Sequence, residues 1–558
     1  MAESVFITFI TVDEEKKVIQ AEKGIKIIEA ARKAGLKIET PCNGAGSCGK
    51  CGVEIAGSGE FVLACQTSVE KDAAFITRDY ESENKSLRIL SRGSAFEYEL
   101  KPFISKKYLE GKTEIYGGKE LLGIEEGDTS AFLYGLAVDI GTTTIVASLV
   151  NIQNGKTLSV ESALNPQSNY AQDVLGRIYF AGKGEGLTVL YRAFINILND
   201  MIASLTKKTG TDSRNIYEVV YSGNTTMLHL ACNIEPSSLG RYPYICQTTG
   251  DCHVRENNLN ISALAIIYLP PVISAYVGAD ITSGILAVNL TEKRGVSLFI
   301  DIGTNGEMVL AKDGVIAASS TAAGPAFEGM NISCGMRASA GAIESFSIKK
   351  DGSCLFRTIG GGTSSEATRG TSGEARGICG SGLLDIAGEL VRRGIIDKRG
   401  RLVRNESSGA ETSISLPKKI TEKIKPLEGK NAFFITDTVY LSQKDIRQIQ
   451  LAKSAIRCGI EMLLLHFGHS AADVERVIIA GSFGYHLNEK SLVNIGLLPS
   501  SFLGKISFAG NTSLSGAAAF LLNRSFREQM KEVTVKVDKV ELAQDAEFER
   551  TFIKYMGF

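Results

Sequence analysis

The feature that most constrains the fold of this chain is a motif that occurs twice. An apolar run ends in Asp-Ile-Gly-Thr at residues 139–142 and again at residues 301–304. Strand-forming residues follow each copy, so each predicts a strand–turn–strand hairpin with an aspartate at its mouth. One copy alone is weak evidence, because glycine turns capped by aspartate are common. Two copies indicate that most of the chain consists of two related lobes.

A second pair of similar segments follows the hairpins in the same order. Residues 218–226 and 476–484 are both apolar strands that break into a glycine turn before a predicted helix. The glycine lies 84 residues after the aspartate in the first lobe and 180 residues after it in the second. The second lobe therefore carries an insertion of roughly 96 residues, and duplicated lobes of this kind suit a nucleotide held in the cleft between them.

The residue types in the hairpins suit phosphate binding. Backbone N–H groups converge on anions in turns rich in small residues, and threonine hydroxyls add donors. A carboxylate beside such a turn repels phosphate unless Mg²⁺ lies between them, usually through water. We therefore expect Asp139 and Asp301 to be the catalytic pair at the metal ion and the attacking water. The expected ATP-binding residues are Gly141, Thr142, Thr143, Thr144, Gly303, Thr304, Asn305, Gly306, Gly481, Ser482 and Gly484.

Four of the eleven cysteines lie close together near the start of the chain, with the spacing C-x5-C-x2-C-x13-C. Three thiolates in one tight loop and a fourth from a neighbouring segment can enclose two irons, and plant-type clusters use a loop one residue shorter. A zinc site is the alternative, although zinc sites usually use paired C-x2-C knuckles. The expected [2Fe–2S] ligands are Cys42, Cys48, Cys51 and Cys65.

Composition argues against several classes of function. The chain has 61 basic and 62 acidic residues, so it lacks the basic excess of a nucleic-acid-binding protein. Its start has no basic segment before an apolar core, which favours a cytoplasmic protein. Residues 261–279 are uncharged but contain Pro270 and Pro271, so they predict a strand, a turn and a helix start rather than a membrane span.

Several of these segments resemble known families. Residues 1 to about 80 resemble the adrenodoxin-like ferredoxins, in the cysteine spacing and in Leu-Ala-Cys-Gln at 63–66, which implies a β-grasp fold with the four cysteines as ligands. Residues 133 to about 525 resemble the acetate and sugar kinase, Hsp70 and actin superfamily. That resemblance implies a two-lobed, duplicated RNase H-like ATPase, with 139–144 and 301–306 as phosphate loops and 479–484 as the adenosine loop.

The whole chain looks like the reductive activators of corrinoid-dependent methyltransferases and corrinoid proteins. The similarity includes residues 269–280, 323–329, 333–344 and 378–385. It implies one-electron reduction of a Co(II) corrinoid to Co(I) through a [2Fe–2S] cluster, coupled to ATP binding and hydrolysis. The implied cofactors are the cluster, ATP and Mg²⁺. The implied partners are a corrinoid protein of a methyltransferase system and an upstream low-potential electron donor. The oligomeric state stays open, with a homodimer as one candidate.

The expected fold class is a multidomain α+β and α/β protein. The expected domains are a ferredoxin-like domain (1–82), a linker or small connector (83–130), ATPase lobe I (131–292), lobe II (293–530) with an insertion at about 330–430, and a C-terminal segment (531–558). We interpret the connector as a tether that lets the cluster approach its acceptor; the alternative is a small structured domain. The insertion is the expected partner-facing region, with Ser333 and Arg337 as candidate contacts to the corrinoid or its protein.

Three rival functions fit parts of the sequence. An ATP-dependent activator of 2-hydroxyacyl-CoA dehydratases would share the superfamily, but those activators bridge one cluster across a dimer, whereas four ligands lie in one short segment here. A small-molecule kinase fused to a sensory ferredoxin would transfer phosphate to a substrate. A redox-gated binding protein would sense ATP without turnover.

Overall fold

A computed structural model describes most of the chain. The described residues are 4–10, 16–36, 38, 40, 44–46, 51–77, 98–361, 363–365, 375–403, 416–481, 487–542 and 545–558. Within these ranges the chain forms six β-sheets, of which two large ones form the lobes on either side of a central cleft.

The first sheet belongs to the N-terminal domain. Its elements are β1 (Ser4–Ile10), β2 (Lys16–Glu22), α1 (Ile27–Lys33), β3 (Gly52–Ile55), β4 (Phe61–Leu63) and β5 (Ala73–Ile76). The strand order is β2-β1-β5-β3-β4, with β1 antiparallel to β2 and parallel to β5. Alternate β1 residues, such as Ile7 and Phe9, are buried in one apolar core with Ile27 and Ile28 of α1.

The described part of the connector, residues 98–130, contains a folded sheet, so the small structured domain and not the tether is correct there. Strands β6 (Ile104–Leu109), β7 (Lys112–Gly117) and β8 (Glu120–Glu126) pair as an antiparallel meander. Ile104 and Ile115 pack against lobe I, and Lys106 is buried with its Nζ 3.0 Å from Glu125 and 2.7 Å from the Tyr217 hydroxyl. The charged residues suggested exposure, but Lys106 and Glu125 neutralise each other inside this interface.

Lobe I follows. Its strands are β9 (Tyr134–Ile140), β10 (Thr144–Asn151), β11 (Thr157–Leu164), β12 (Ile216–Gly223), β13 (Cys252–Val254) and β14 (Ile266–Leu269). Its helices are α2 (Val174–Ala181), α3 (Gly186–Thr209), α4 (Thr225–Ala231) and α5 (Ala279–Ala287). The uncharged stretch at 261–279 forms β14, a turn and the start of α5, as predicted. No helix in the described ranges is both long and apolar enough to span a bilayer.

Lobe II begins with β15 (Val296–Ile302), β16 (Gly306–Lys312) and β17 (Val315–Thr321). The inserted segment then adds β18 (Ala342–Ile348), β19 (Cys354–Thr358), β20 (Thr363–Ser365), β21 (Gly377–Ile378), α6 (Gly380–Arg392), α7 (Lys418–Thr421), β22 (Ile424–Leu427), β23 (Lys430–Phe434) and β24 (Tyr440–Ser442). Residues 362, 366–374 and 404–415 of the insertion lie outside the described residues.

The lobe closes with α8 (Gln443–His466), β25 (Arg476–Ala480), α9 (Glu489–Asn494), β26 (Ile506–Gly510), α10 (Thr512–Leu522), α11 (Ser525–Lys536), β27 (Asp538–Lys539) and α12 (Phe548–Lys554). The predicted boundary between lobe II and a separate C-terminal segment at residue 531 is wrong, because residue 531 lies inside α11. Beyond it, β27 extends the lobe II sheet beside β17 and α12 packs on α8.

The two large sheets repeat one topology, which confirms the predicted duplication. The order β11-β10-β9-β12-β14 in lobe I recurs as β17-β16-β15-β25-β26 in lobe II. In both, an antiparallel hairpin is followed by two parallel strands, and a 24-residue helix, α3 or α8, precedes the first of these. Because parallel strands end at one edge of a sheet, this topology brings Asp139 beside Ser222 and Asp301 beside Ala480.

Two helices join the lobes at the base of the cleft. Helix α10 leaves the lobe II sheet and packs along α5 and on strands β9 and β12 of lobe I. The helices approach closely at glycines, since a Cβ at Gly516 would lie 2.1 Å from the Ser283 carbonyl oxygen. The lobes are therefore connected through a tight helix crossing directly behind the aspartate hairpins.

Candidate functional site

The two aspartate hairpins face each other across the cleft. The lining residues come from both hairpins, from the starts of α4, α5 and α10, and from the loop after β17. They are Asp139, Gly141, Thr142, Thr143, Thr144, Val146, Asn224, Asp280, Asp301, Ile302, Gly303, Thr304, Asn305, Glu307, Glu328, Gly481, Asn511, Thr512 and Ser513. The structure thus brings together almost all the predicted ATP-binding residues that it describes, and both predicted catalytic aspartates.

The first hairpin turn is shaped by glycine and by buried polar side chains behind it. A Cβ at Gly141 would lie 2.6 Å from the Thr144 carbonyl oxygen, so only glycine fits there. The fully buried Arg177 donates to the Thr142 carbonyl oxygen at 2.5 Å, and burial lowers its pKa to about 9. Asn224 donates to the Thr142 hydroxyl at 3.2 Å. These contacts fix the turn with its hydroxyls toward the cleft.

Glu328 connects the two hairpins across the cleft. One carboxylate oxygen accepts a hydrogen bond from the Thr143 hydroxyl of lobe I, and the other accepts one from the Thr304 hydroxyl of lobe II. Glu328 ends a short 3₁₀ turn, Pro325–Glu328, that follows β17. A single carboxylate therefore engages hydroxyls of both predicted phosphate loops.

Asp139 is held by residues from the other side of the cleft. Its two oxygens accept hydrogen bonds from Asn511 Nδ2 at 2.8 Å and from Ser513 Oγ at 2.7 Å. Ser513 Oγ also lies 2.8 Å from the buried Ser222 hydroxyl. Burial raises the pKa of Asp139, and the two hydrogen bonds oppose that shift. The contact ties the first hairpin to the N-terminus of α10.

Three further buried carboxyl groups share the cleft. Burial, followed by repulsion from Asp301 and Asp139, raises the pKa of Asp280 to about 8. Burial and repulsion from Asp139 raise the pKa of Asp301 to about 7. The pKa of Glu307 also lies well above its ordinary value, for the same reasons. This concentration of acid groups is the electrostatic environment that a divalent cation would relieve.

The geometry bears on how a cation could bind. Among the described residues, no three His, Cys, Asp or Glu side chains converge on one point. Mg²⁺ commonly keeps several waters and takes one or two carboxylates together with substrate phosphates. The carboxyl groups therefore fit a magnesium ion bound through water and nucleotide, and not one enclosed by protein ligands.

The third predicted loop is described only in part. Gly481 lies in the cleft with φ of +114°, and a Cβ there would lie 2.5 Å from the Ile302 carbonyl oxygen. This close approach requires glycine and places the end of β25 against the second hairpin. Ser482 and Gly484 lie outside the described residues.

Sequence reasoning missed several residues of the cleft. Asp280 and Glu328 lie in segments that carried the family resemblance but received no role, and nothing in the sequence indicated that Asn511 and Ser513 reach the cleft. Their positions depend on contacts between lobes. Asn511 shows a helix-capping pattern, because its side chain accepts from the Leu514 N–H, yet that pattern does not reveal its second contact with Asp139.

The cysteine site is described for two of its four predicted ligands. Cys51 and Cys65 are buried and their sulfurs lie 3.3 Å apart. This is near the separation of about 3.8 Å expected for two thiolates on one tetrahedral metal with metal–sulfur bonds of about 2.3 Å. Lys26 donates to the Cys65 carbonyl oxygen at 3.1 Å. Cys42 and Cys48 lie outside the described residues.

The candidate partner contacts lie away from the cleft lining. Ser333 is exposed, and its N–H and hydroxyl both donate to the buried Asp445, at 2.7 and 3.0 Å. Arg337 is half-buried. Asp445 also accepts from Ser442 in the capping box that starts α8. Ser333 is thus an exposed residue whose side chain is anchored to the first turn of that helix.

Comparisons with known proteins agree with this architecture. Residues 10–70 match the family described as a 2Fe-2S iron-sulfur cluster binding domain. Residues 134–293 match the RACo middle region, and residues 295–558 match the C-terminal domain of RACo, the ASKHA domain. A solved structure of a reductive activator for corrinoid, iron-sulfur protein is similar with 30% identity and a TM-score of 0.72, covering 99% of this chain and 98% of the other.

Two characterised relatives show similarity over most of the sequence. The corrinoid activation enzyme RamQ of Eubacterium limosum is 30% identical, covering 93% of this chain and 94% of RamQ. The reductase for a Co(II) methylated amine-specific corrinoid protein of Methanosarcina barkeri is 25% identical, covering 76% of this chain and 77% of the reductase.

Proposed function

The chain belongs to the RACo family of corrinoid-activating proteins, and we propose that it reduces a Co(II) corrinoid protein to Co(I) at the expense of ATP. The observation that carries this proposal is that one chain combines an iron–sulfur domain with an ATPase fold. A [2Fe–2S] ferredoxin domain precedes a two-lobed ATPase fold whose duplicated loops meet at one cleft. Its partners are a corrinoid protein of a methyltransferase system and an upstream low-potential donor.

Energetics explain the need for ATP. Plant-type [2Fe–2S] clusters have potentials near about −400 mV. When the cobalt couple lies below its donor, each tenfold disadvantage in the transfer equilibrium corresponds to about 59 mV for one electron. A nucleotide that binds one conformation of the complex more tightly than another can offset this difference. Closure of the two lobes over ATP is the conformational change that this fold offers.

At the cleft, one group of residues would bind phosphate and another would hold the metal ion. The hydroxyls and N–H groups of residues 141–144 and 303–306 would bind the phosphates of ATP. Asp139 and Asp301 would hold the waters of a bound Mg²⁺ and orient the attacking water. When bound, Mg²⁺ supplies the positive charge that lets phosphate approach these buried carboxylates. Asp139 keeps its orientation through Asn511 and Ser513.

At the N-terminal domain, Cys42, Cys48, Cys51 and Cys65 would hold the cluster, which supplies one-electron transfer. The pairing of Cys51 and Cys65 in the core supports this ligand set. At the insertion, Ser333 and Arg337 would contact the corrinoid or its protein. A homodimer is a candidate assembly, which size-exclusion chromatography with light scattering would test.

The decisive experiment mixes the dithionite-reduced protein, ATP with Mg²⁺ and a Co(II) corrinoid protein, and records the Co(I) absorption band. We expect the Asp301→Ala variant to lose that band, because the charge that positions metal and water is gone, and to retain the visible spectrum of the cluster. The Asp313→Ala variant, altered in the turn after β16, is the control. Unchanged Co(I) formation by Asp301→Ala would refute the role assigned to Asp301.

A further inference from the structure

A large groove lies in the inserted part of lobe II, apart from the nucleotide cleft. It encloses about 1040 Å³ between the turn at 397–403, the β22–β23 turn and the first two turns of α8. None of its lining residues belongs to the cleft.

The groove is strongly cationic. Arg399, Arg401, Lys430, Lys444 and Arg447 line it, and all five side chains are exposed. One carboxylate, Asp397, is present among the described lining residues. The chain as a whole has a net charge of −1, so this excess of positive charge is local.

Four of the five cationic side chains of the groove have no carboxylate partner in the described part of the chain. Asp397 uses Oδ1 to accept from the N–H groups of Arg399 and Arg401, both at 2.8 Å. No carboxylate among the described residues lies within ion-pair distance of Arg399, Arg401, Lys430 or Arg447. Clustered like charges repel one another, and a ligand bearing several negative charges removes that repulsion on binding.

The groove lies at the end of α8 to which Ser333 is anchored. Lys444 and Arg447 are exposed on the first two turns of this helix, and the buried Asp445 on its first turn accepts the hydrogen bonds of Ser333. The groove and the exposed residue that we assign to the corrinoid-facing surface therefore lie at the same end of α8. A protein whose corrin ring approaches Ser333 would place its neighbouring surface over these cations.

We propose that this groove docks an acidic surface of the corrinoid protein and so orients its cobalt centre toward Ser333. The inference rests on the proposed function for the identity of the partner. Its own content is that recognition is electrostatic and is located at the groove. Charge complementarity of this kind mainly raises the association rate and sets orientation, and it weakens as salt screens the charges.

The first test uses a defined probe and does not depend on catalysis. A deca-glutamate peptide is titrated against the full chain at low ionic strength, with Lys430→Glu/Arg447→Glu as the variant and Lys156→Glu/Lys350→Glu as the matched control. The control lysines are exposed and lie outside the groove. We expect the groove variant to bind the peptide at least about tenfold more weakly than the wild type and the control. Equal binding by all three proteins would overturn the proposal.

The second test measures the affinity for a Co(II) corrinoid protein and the rate of Co(I) formation at several salt concentrations. The groove variant should show a raised Kd, a weaker dependence on salt and a normal rate at saturating partner. An unchanged Kd for the groove variant would refute docking at the groove while leaving the proposed function intact. If the wild type forms no Co(I), the proposed function fails, and the peptide titration still decides whether the groove binds an acidic ligand. Displacement of the peptide by micromolar pyrophosphate would instead assign the groove to a small anion.

Discussion

At the scale of single residues, Glu328 is the side chain that joins the two halves of the nucleotide site. It accepts one hydroxyl from each phosphate loop, so its carboxylate occupies the space between donors that phosphate oxygens would use. Glu328 is followed by Gly329, whose missing Cβ would lie 2.4 Å from the Met336 carbonyl oxygen, next to Arg337. The segment that begins at Glu328 therefore packs directly against the backbone that precedes Arg337.

We expect the Glu328→Ala variant to lower ATP turnover at least about tenfold, which corresponds to about 1.4 kcal/mol in the barrier. The physical reason is that the two loops lose their common acceptor. ATP turnover by the Glu328→Gln variant should fall less, because the amide oxygen still accepts a hydrogen bond from one threonine. Steady-state phosphate release measures the effect, with Glu532→Ala, an exposed glutamate on α11, as the control. Wild-type turnover by Glu328→Ala would show that the bridge has no part in the reaction.

The cleft aspartates predict how stability depends on pH. An unfolded chain releases aspartate protons near about pH 4, whereas the folded chain releases those of Asp301 at about 7 and of Asp280 at about 8. Between these values the folded chain holds more protons, so raising the pH lowers the free energy of unfolding. In EDTA, the melting temperature should therefore fall as the pH rises from about 4 to about 8.

Mg²⁺ should restore melting temperature mainly at the high end of this range, because at lower pH protons occupy the same carboxyl groups. The Asp280→Asn variant removes one of the titrating groups and should show a shallower decline in EDTA. Thermal scans of both proteins across the range measure the difference. Parallel declines for Asp280→Asn and the wild type would contradict the assignment of the pH dependence to this cluster.

At the scale of elements, the connector shows where local patterns failed. Glycine and charge between residues 101 and 128 favoured a tether, yet β6–β8 form a sheet whose buried Lys106 pairs with Glu125 and Tyr217. The two aspartate hairpins were predicted well, because an apolar run followed by a glycine turn is a local pattern.

We expect trypsin to leave β6–β8 uncut in the native protein, although this meander contains several lysines, because paired strands packed on lobe I do not fit a protease site. Mass spectrometry of the fragments, with a urea-unfolded sample as the control, measures protection. Rapid native cleavage after Lys106 or Lys107 would reinstate the tether. The Lys106→Met variant should test the interface separately, since it leaves Glu125 without its buried cation.

At the scale of the whole molecule, the crossing of α5 and α10 determines how the lobes are held. Gly516 lies against the Ser283 backbone, and the buried Ser222 hydroxyl contacts both Ser283 and Ser513 at 2.9 and 2.8 Å. The crossing thus continues directly into Asp139 through Ser513. Any change in the angle between the lobes must pass through this packed region.

We expect the Gly516→Ala variant to be destabilised by about 1–3 kcal/mol, because its methyl group meets backbone atoms that cannot move aside freely. Ser515→Ala, on the same helix but half-buried, should change stability by less than about 0.5 kcal/mol. Urea unfolding followed by the circular dichroism of the helices measures both. A Gly516→Ala protein as stable as Ser515→Ala would mean that the crossing is looser than the structure shows.

The sequence by itself determined what depends on local spacing. Four cysteines at short intervals predicted the cluster domain, and two Asp-Ile-Gly-Thr turns predicted the duplicated lobes, because turns and strands are encoded by neighbouring residues. Only the tertiary structure decided which distant side chains meet. Glu328 reaches both loops, and Asn511 reaches Asp139 across 372 positions in sequence. Such contacts arise from the packing of lobes against one another, and no local pattern records that packing.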